Sequence, residues 1–313
     1  MAKSQKLEAF LAQLNEVRDQ PNTEKSISIL RQVIGSKYSV AVAQAAKVVG
    51  KHKIRQLAPD LADAFDRFMT KPEKTDANCL AKSAIAQALN YLDFAESSLY
   101  LQGIHHIQLE PVWGGTTDTA PKLRGICAFG LVRIHYPDLM LELADLLSDP
   151  ESEARIGAAH AIAYSNDPRA IPLLRLRAKV GDEPQVMSEY FRVMLDLVPE
   201  QSMEFVAQYL YDKNRQLQEL VALALGESYQ PQALAHLIRW YEQTQQEELQ
   251  AMGLLAIAML RNEEGIDYLL SLIKEGQAKQ ADNAIQALHI YRQDEQLWKK
   301  VDHAQRLRNQ SKR

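Results

Sequence analysis

A short pattern recurs along this chain at a nearly fixed spacing, and that spacing constrains the fold more than any other feature. Each copy is a run of small and aliphatic residues followed by a polar or proline-containing turn. The regular copies start 31 or 32 residues apart, at residues 123, 154, 185, 217, 249 and 280. Two earlier copies start at residues 41 and 81, which gives longer spacings of 40 and 42 residues. Such a period is typical of stacked helix pairs, because one pair alone is too small to bury its own apolar face.

The clearest copy, Asp149–Lys179, indicates two helices. Small residues over Ala154–Ala163 allow close helix approach, and a second helix begins near Pro168, where proline loses no needed hydrogen bond. No stretch shows sustained strand alternation. We therefore predict an all-α fold, a right-handed α-α superhelix of eight to nine helix pairs that forms a single solenoid over residues 1–313. Second helices are expected to line its concave face.

The two ends of the chain fit the same scheme. Residues 1–36 contain two helical patterns ahead of the first good copy, and we expect them to cap that end of the array. Residues 308–313 are polar, and we expect a frayed tail there.

The amino-acid pattern of the clearest copy resembles that of a known repeat family. The run D-P-E-S-E-A-R-I-G-A-A-H-A-I-A, followed by D-P-R-A-I-P-L-L, resembles the HEAT repeat. It is most similar to the short HEAT-like repeats of bacterial proteins, a class that includes the phycobilisome lyases. The resemblance covers nearly the whole chain. It implies the fold and leaves the function open, because scaffolds, chaperone-like lyases and DNA glycosylases all use such repeats.

The resemblance also explains pairs of charged residues that could otherwise suggest catalysis. Asp118 precedes Arg124 in the same register as Asp149 precedes Arg155 and Asp76 precedes a lysine. The family pattern implies that this aspartate caps a first helix and that the basic residue bridges neighbouring turns. An aspartate can accept the free N–H groups of a helix start, and stacked copies can build a ladder of charges.

One segment has no counterpart in the repeat. Gly103–Asp118 contains a proline and a Gly-Gly pair, which do not fit a continuous helix, and we predict an irregular inserted loop. It holds His105, His106, Glu110 and Trp113, which we take as candidate binding residues because loops on rigid scaffolds often carry function.

Several chemistries fit this segment. His105, His106 and Glu110 could ligate a metal, although no third histidine follows at a ligand spacing. Glu110 beside Trp113 could act as a general base in a groove that excises nucleobases. The glycine pair could cradle an anion, but the lysine of a nucleotide-binding loop is missing.

Two simpler interpretations of the segment remain. Val112 and Trp113 could pack onto the helices, in which case the loop is only structural. Alternatively, the loop is exposed and contacts a partner. Elsewhere, Arg169, Arg175, Arg177 and Lys179 form a basic cluster. Arg175 and Lys179 are four residues apart on one helix face, which makes them candidate binding residues beside the alternative of a solvated surface.

Composition narrows the classes of function. The net charge of −4 gives no general attraction to nucleic acid or membrane, and no apolar run is long enough to span a bilayer. The cysteines, Cys79 and Cys127, lie in apolar helical patterns, which favours buried free thiols and a cytoplasmic protein. We expect no cofactor and no resident metal.

The absence of a nucleophile–base motif and of a phosphate loop favours a non-catalytic scaffold or adaptor that binds a protein partner through its concave helical face and the inserted loop. The resemblance leaves two alternatives, a phycobilin lyase-like chaperone or enzyme and a DNA glycosylase of the helical-repeat kind. The charge balance disfavours the glycosylase.

Overall fold

The structure, a computed structural model, describes residues 2–17 and 20–311. The chain forms two compact units, Met1–Leu173 and Leu174–Arg313, referred to as unit 1 and unit 2. Both consist of helix pairs, which confirms the predicted all-α class. The prediction of one continuous solenoid over residues 1–313 stays a prediction.

Unit 1 begins with α1 and α2, which lie in the region predicted to cap the array. Phe10 of α1 lies edge-on to the ring of Tyr38, and the ring centroids are 6.0 Å apart. Helix pairs follow, with a short helix, α5, and a two-stranded insertion between them. The elements are α1 (Ala2–Val17), α2 (Glu24–Ile34), α3 (Ser39–Lys51), α4 (Ala58–Met69), α5 (Pro72–Thr75), α6 (Leu80–Tyr91), α7 (Ser97–Ile104), β1 (Leu109–Val112), β2 (Gly115–Asp118), α8 (Pro121–Arg133), α9 (Leu139–Leu146), α10 (Ser152–Ser165) and α11 (Ile171–Val180), whose end lies in unit 2.

Unit 2 continues with four helix pairs. They are α12 (Pro184–Leu197), α13 (Pro199–Ala207), α14 (Arg215–Glu227), α15 (Ala233–Gln243), α16 (Glu247–Met259), α17 (Glu263–Glu275), α18 (Ala278–Leu288) and α19 (Glu295–Ser311). Every first helix, from α3 to α18, begins one or two residues before the start that the repeat predicts.

Small residues bring consecutive first helices together. A Cβ built on Gly157 would lie 2.6 Å from the Cα of Gly125, so the backbones of α10 and α8 nearly touch. Likewise a Cβ on Gly50 would lie 2.9 Å from the Cα of Ala88 on α6. Any larger side chain at these positions would force the helices apart.

Two predictions about local structure are wrong. The segment 103–118 is not an irregular loop, because Gly103 and Ile104 complete α7 and residues 109–118 form a β-hairpin. Its strands are too short for alternation to be recognised in the sequence. Fraying does not begin at residue 308, since α19 continues to Ser311 and the Arg308 guanidinium donates to the carbonyl oxygens of Ile273 and Gly276. Residues 312 and 313 lie outside the described part.

The two cysteines are buried and free, as the sequence predicted. Burial raises the pKa of the Cys79 thiol to about 12 and also raises that of Cys127. Both thiols therefore remain protonated near neutral pH and act as small apolar side chains. No helix in the described ranges combines the length and the apolar character that crossing a membrane requires.

Candidate functional site: an inserted hairpin

The inserted segment projects a β-hairpin from unit 1. Strands β1 and β2 pair antiparallel, with Leu109 opposite Asp118 and Val112 opposite Gly115. Trp113 and Gly114 form the turn, and Gly114 has a φ of +91°, a conformation that glycine adopts without the strain of a side chain. The first glycine of the Gly-Gly pair therefore lies in the hairpin turn, and the second begins β2.

Large apolar side chains of this segment face solvent. Trp113 is 103% exposed, so it touches nothing else in the described structure. Ile107, Leu109 and Val112 are each at least half exposed. The interpretation in which Val112 and Trp113 pack onto the helices is wrong, because the turn carries them away from the helical surface. Neighbouring apolar side chains exposed together are typical of contact surfaces.

The base of the hairpin is held by Gln108, which is 1% exposed. Its side-chain amide donates to the carbonyl oxygen of Asp76 (2.8 Å) and to Oε1 of Glu110 (2.6 Å). Its Oε1 accepts from Nζ of Lys82 (2.7 Å). Gln108 therefore joins the hairpin to the start of α6 through buried hydrogen bonds, which are costly to leave unmade.

Glu110 forms a second attachment. Its Oε1 accepts from the backbone N–H of Asn78 (2.7 Å), the Thr119 hydroxyl (2.8 Å) and the Gln108 amide. Desolvation acts to raise the pKa of Glu110, but the three hydrogen bonds outweigh it and hold the pKa below its ordinary value. A carboxylate in this state is a weak base, and its contacts fasten β1 to the helices.

Asp118 and Arg124 secure the other strand. Asp118 accepts from the backbone N–H of Gln108 and of Ala120, both at 3.0 Å, and from Nη1 of Arg124 at 2.6 Å. Desolvation opposes ionisation, yet these donors keep the pKa of Asp118 below its ordinary value. Arg124 also reaches Asp149 at the start of the next repeat (2.9 Å), so it bridges neighbouring turns as the family pattern implied.

Asp76 and Lys82 form the preceding step of the same ladder. Both side chains are fully buried, and Nζ of Lys82 lies 3.1 Å from Oδ2 of Asp76. Asp76 also accepts from the backbone N–H groups of Ala81 and Lys82, which gives it the helix-capping role that the resemblance implied. A buried ion pair of this kind is stable only with full hydrogen bonding, and here Gln108 of the hairpin supplies part of it.

The two histidines lie at the foot of the hairpin and point to different partners. Nε2 of His105 is 3.0 Å from Oε2 of Glu142 on α9, whereas Nε2 of His106 is 3.2 Å from Oε1 of Gln108. Partial burial lowers the pKa of the His106 imidazole. Within residues 2–17 and 20–311, no three His, Cys, Asp or Glu side chains are grouped as a metal site would require.

The basic side chains predicted to form a cluster, on α11 and just before it, have different environments. The guanidinium of Arg175 stacks 4.0 Å from the ring centroid of Phe205. Arg177 pairs with an aspartate at 2.8 Å, and Arg169 pairs with another at 2.6 Å. Lys179 is exposed. The binding roles of Arg175 and Lys179 stay predictions.

Sequence reasoning singled out the hairpin residues but missed what fastens them. Asn78 and Gln108 are attachments outside the strands, and neither belongs to a recognisable binding motif. The repeat register had placed Lys82 and Arg124 six residues after an aspartate, but it gave no indication that they contact the hairpin segment.

The comparisons with known proteins concern the fold. Residues 115–190 match the family described as HEAT repeats, which confirms the resemblance inferred from the sequence. The complex of CpcE and CpcF of phycocyanin lyase from Nostoc sp. PCC7120 aligns over 76% of this chain and 91% of that chain, at 13% identity and a TM-score of 0.39.

Two other solved structures are similar at the same level. Human deoxyhypusine hydroxylase in complex with glycerol aligns over 84% of this chain and 98% of that chain, with 16% identity and a TM-score of 0.34. An engineered protein aligns over 93% and 84%, with 17% identity and a TM-score of 0.38. No curated protein sequence matches the chain. These likenesses extend to the helical-repeat fold alone.

Proposed function

We propose that this chain is a protein-binding scaffold and that the hairpin is its principal contact element. The observation that carries the proposal is Trp113, fully exposed at the tip of a hairpin whose base is fixed by buried hydrogen bonds. Tryptophan is enriched among the residues that dominate binding energy at protein interfaces. A rigid support lets it bind without the entropy cost of ordering a loop.

The polar groups near the hairpin support the same proposal. The hydrogen bonds that attach the hairpin already occupy the side chains of Glu110, Asp118 and Gln108. The site therefore offers a fixed apolar surface, of which Trp113, Ile107 and Leu109 are the most exposed side chains, rather than a free acid or base. Partners suited to it carry an apolar pocket able to enclose an indole ring.

The test replaces the exposed indole. Full-length protein and the Trp113→Ala variant are used as bait in quantitative affinity capture from cell extract, followed by binding measurements with the purified partner. We expect Trp113→Ala to weaken that binding by roughly 2 kcal/mol or more, as at interface hot spots. Its free energy of unfolding should change by no more than about 0.5 kcal/mol, because the side chain has no intramolecular contact to lose.

Tyr211→Ala is the matched control, since Tyr211 is an exposed aromatic residue of unit 2. It should leave partner binding unchanged. Capture that survives Trp113→Ala in full, or that falls equally in both variants, would refute the hairpin as the contact element. A photo-crosslinking residue at position 113 then identifies which partner lies within reach.

A further inference from the structure

A second surface of unit 1, formed by helices rather than by the hairpin, has an unusual charge distribution. Helices α3, α6 and α8 lie side by side, with α6 in the middle, and their sequences contain no aspartate or glutamate. Two of them expose lysines, Lys47 and Lys51 on α3 and Lys122 on α8. The exposed side of this layer is therefore positively charged on both flanks of α6.

A groove follows the outer face of α6 between these flanks. Its volume is about 310 Å³. The floor is made of small residues, Gly50 of α3 with Ala84 and Ala88 of α6. Leu80 and Tyr91, partly exposed at 38% and 53%, stand at the two ends of α6. Eleven residues of helix separate them, which corresponds to a groove roughly 16 Å long.

The lysines at the rim have no acidic neighbours within the groove. Of the residues that line it, none is an aspartate or glutamate. In the part of the chain that the structure describes, Lys47, Lys51 and Lys122 form no ion pair. Lys47 and Lys51 are four residues apart and so project from one side of α3. The groove thus combines an apolar floor with two unpaired positive charges on one flank and one on the other.

From this arrangement we infer that the groove binds an acidic amphipathic helix of a partner protein. The floor, free of large side chains, accepts the ridge of a helix with alanine or leucine on its buried face. Glutamate or aspartate on both sides of that ridge would meet Lys47 and Lys51 on one flank and Lys122 on the other. The groove length corresponds to about three turns of the bound helix.

The apolar floor favours a protein partner over a nucleic acid. A phosphate backbone would meet the lysines but would leave Ala84, Ala88 and Leu80 covered by polar groups. The groove lining contains no arginine, the side chain that best matches phosphate geometry. A helix with both apolar and acidic faces uses the floor and the rim together.

The test uses a fluorescein-labelled synthetic helix of about 14 residues, with alanine and leucine on one face and glutamate on both flanks. Fluorescence anisotropy measures its binding to the full-length protein at low salt. The decisive variant is Lys47→Glu/Lys51→Glu/Lys122→Glu, expected to weaken binding roughly tenfold or more. Added salt should also weaken binding to the unmodified protein.

A matched variant controls for net charge. Lys25→Glu/Lys74→Glu/Lys299→Glu alters the same number of exposed lysines outside the groove and should leave binding within about twofold. Gln87→Trp, which fills the groove without changing charge, should also abolish binding. Circular dichroism confirms that each variant is folded. Trp113→Ala should have no effect, so this result is separable from the proposed role of the hairpin.

Three outcomes would overturn the inference. The first is no binding of the peptide at low salt, and the second is an equal loss in the two triple-lysine variants. The third is equal binding of a peptide that keeps the glutamates but lacks the apolar face, or of a single-stranded oligonucleotide of the same charge. Either of these last results would show a general polyanion surface in place of a helix-binding groove.

Discussion

In both units, a side chain near the start of a first helix donates a hydrogen bond to the backbone carbonyl oxygen six residues earlier. The side chain that donates differs between the units. In unit 1, Arg155 donates to the carbonyl oxygen of Asp149, six residues earlier, at 2.7 Å. In unit 2, Gln218 donates to the carbonyl oxygen of Asp212 at 2.5 Å, and Gln250 makes the equivalent bond at 2.7 Å. A neutral amide is therefore sufficient for this contact.

The charges in unit 1 have an additional role, because two of them reach the hairpin. Lys82 donates to Gln108, and Arg124 donates to Asp118 and to the carbonyl oxygen of His106. Unit 2 has no strand in its described residues, and glutamine occupies two of its four corresponding positions, Gln218 and Gln250, with Val186 and Ala281 at the others. The comparison indicates that Lys82 and Arg124 attach the hairpin in addition to their contacts at the helix starts.

The units also differ in the charge of their first helices. Helices α3, α6 and α8 of unit 1 lack carboxylates and α10 contains one, Glu153, whereas each first helix of unit 2 contains at least one, from Glu189 in α12 to Asp282 in α18. The lysine-flanked groove is thus a property of unit 1 and does not follow from the repeat pattern.

The largest effect that tests this comparison is expected from Lys82→Met. The substitution leaves the fully buried carboxylate of Asp76 without its cation, which costs roughly 3–5 kcal/mol. In unit 2, Gln250→Met removes one neutral hydrogen bond and should cost about 1 kcal/mol. Urea unfolding of the full chain, followed by hydrogen exchange to locate the change, measures both.

The double variant Lys82→Met/Asp76→Asn is the control for a general loss of folding in Lys82→Met. Because it removes both charges together, it should recover part of the stability lost in Lys82→Met. Equal costs for Lys82→Met and Gln250→Met would remove the distinction between the two units.

A smaller effect is expected at acid pH. The pKa of Asp118 is lower in the folded protein than its ordinary value of about 3.9. Its ionised form therefore contributes stability that is complete above pH ~4 and is lost as the pH falls through the lowered folded pKa. In unit 2, Thr244 occupies the register position of Asp118 ahead of α16, and its side chain carries no ionisable group.

NMR titration of the Asp118 side chain measures the pKa directly. Urea unfolding between pH 5 and pH 2.5 should show a shallower pH dependence for Asp118→Asn than for the unmodified protein. An Asp118 pKa at or above the ordinary value would contradict the hydrogen-bonded role assigned to this carboxylate.

The smallest effect is expected from introducing a charge into unit 2. In Gln250→Arg the guanidinium can donate to the carbonyl oxygen of Thr244 as Arg155 donates to that of Asp149. Gln250 is half-buried, and Glu247 and Glu248 lie in the same first turn of α16. We therefore expect a change in unfolding free energy within about 0.5 kcal/mol. A loss of several kcal/mol would show that this position of the repeat accepts a cation only in unit 1.

Much of the fold could be predicted from the sequence, and the reason is local. Helix periodicity and small residues recur in every copy, so the starts of the eight first helices between α3 and α18 were each placed within two residues. The capping role of Asp76 and the bridging role of Arg124 followed from the same register. The hairpin could not be predicted, because its four-residue strands carry too little alternation and include a proline.

The sequence by itself determined the helix pairs, their period and the charged register of unit 1, since these depend on residues close together in the chain. Tertiary structure alone decided the exposure of Trp113 and the burial of Gln108 between Asp76 and Lys82. It also decided that lysines of α3 and α8 line one groove. Those features depend on contacts between residues about 25 to 75 positions apart, which no local pattern encodes.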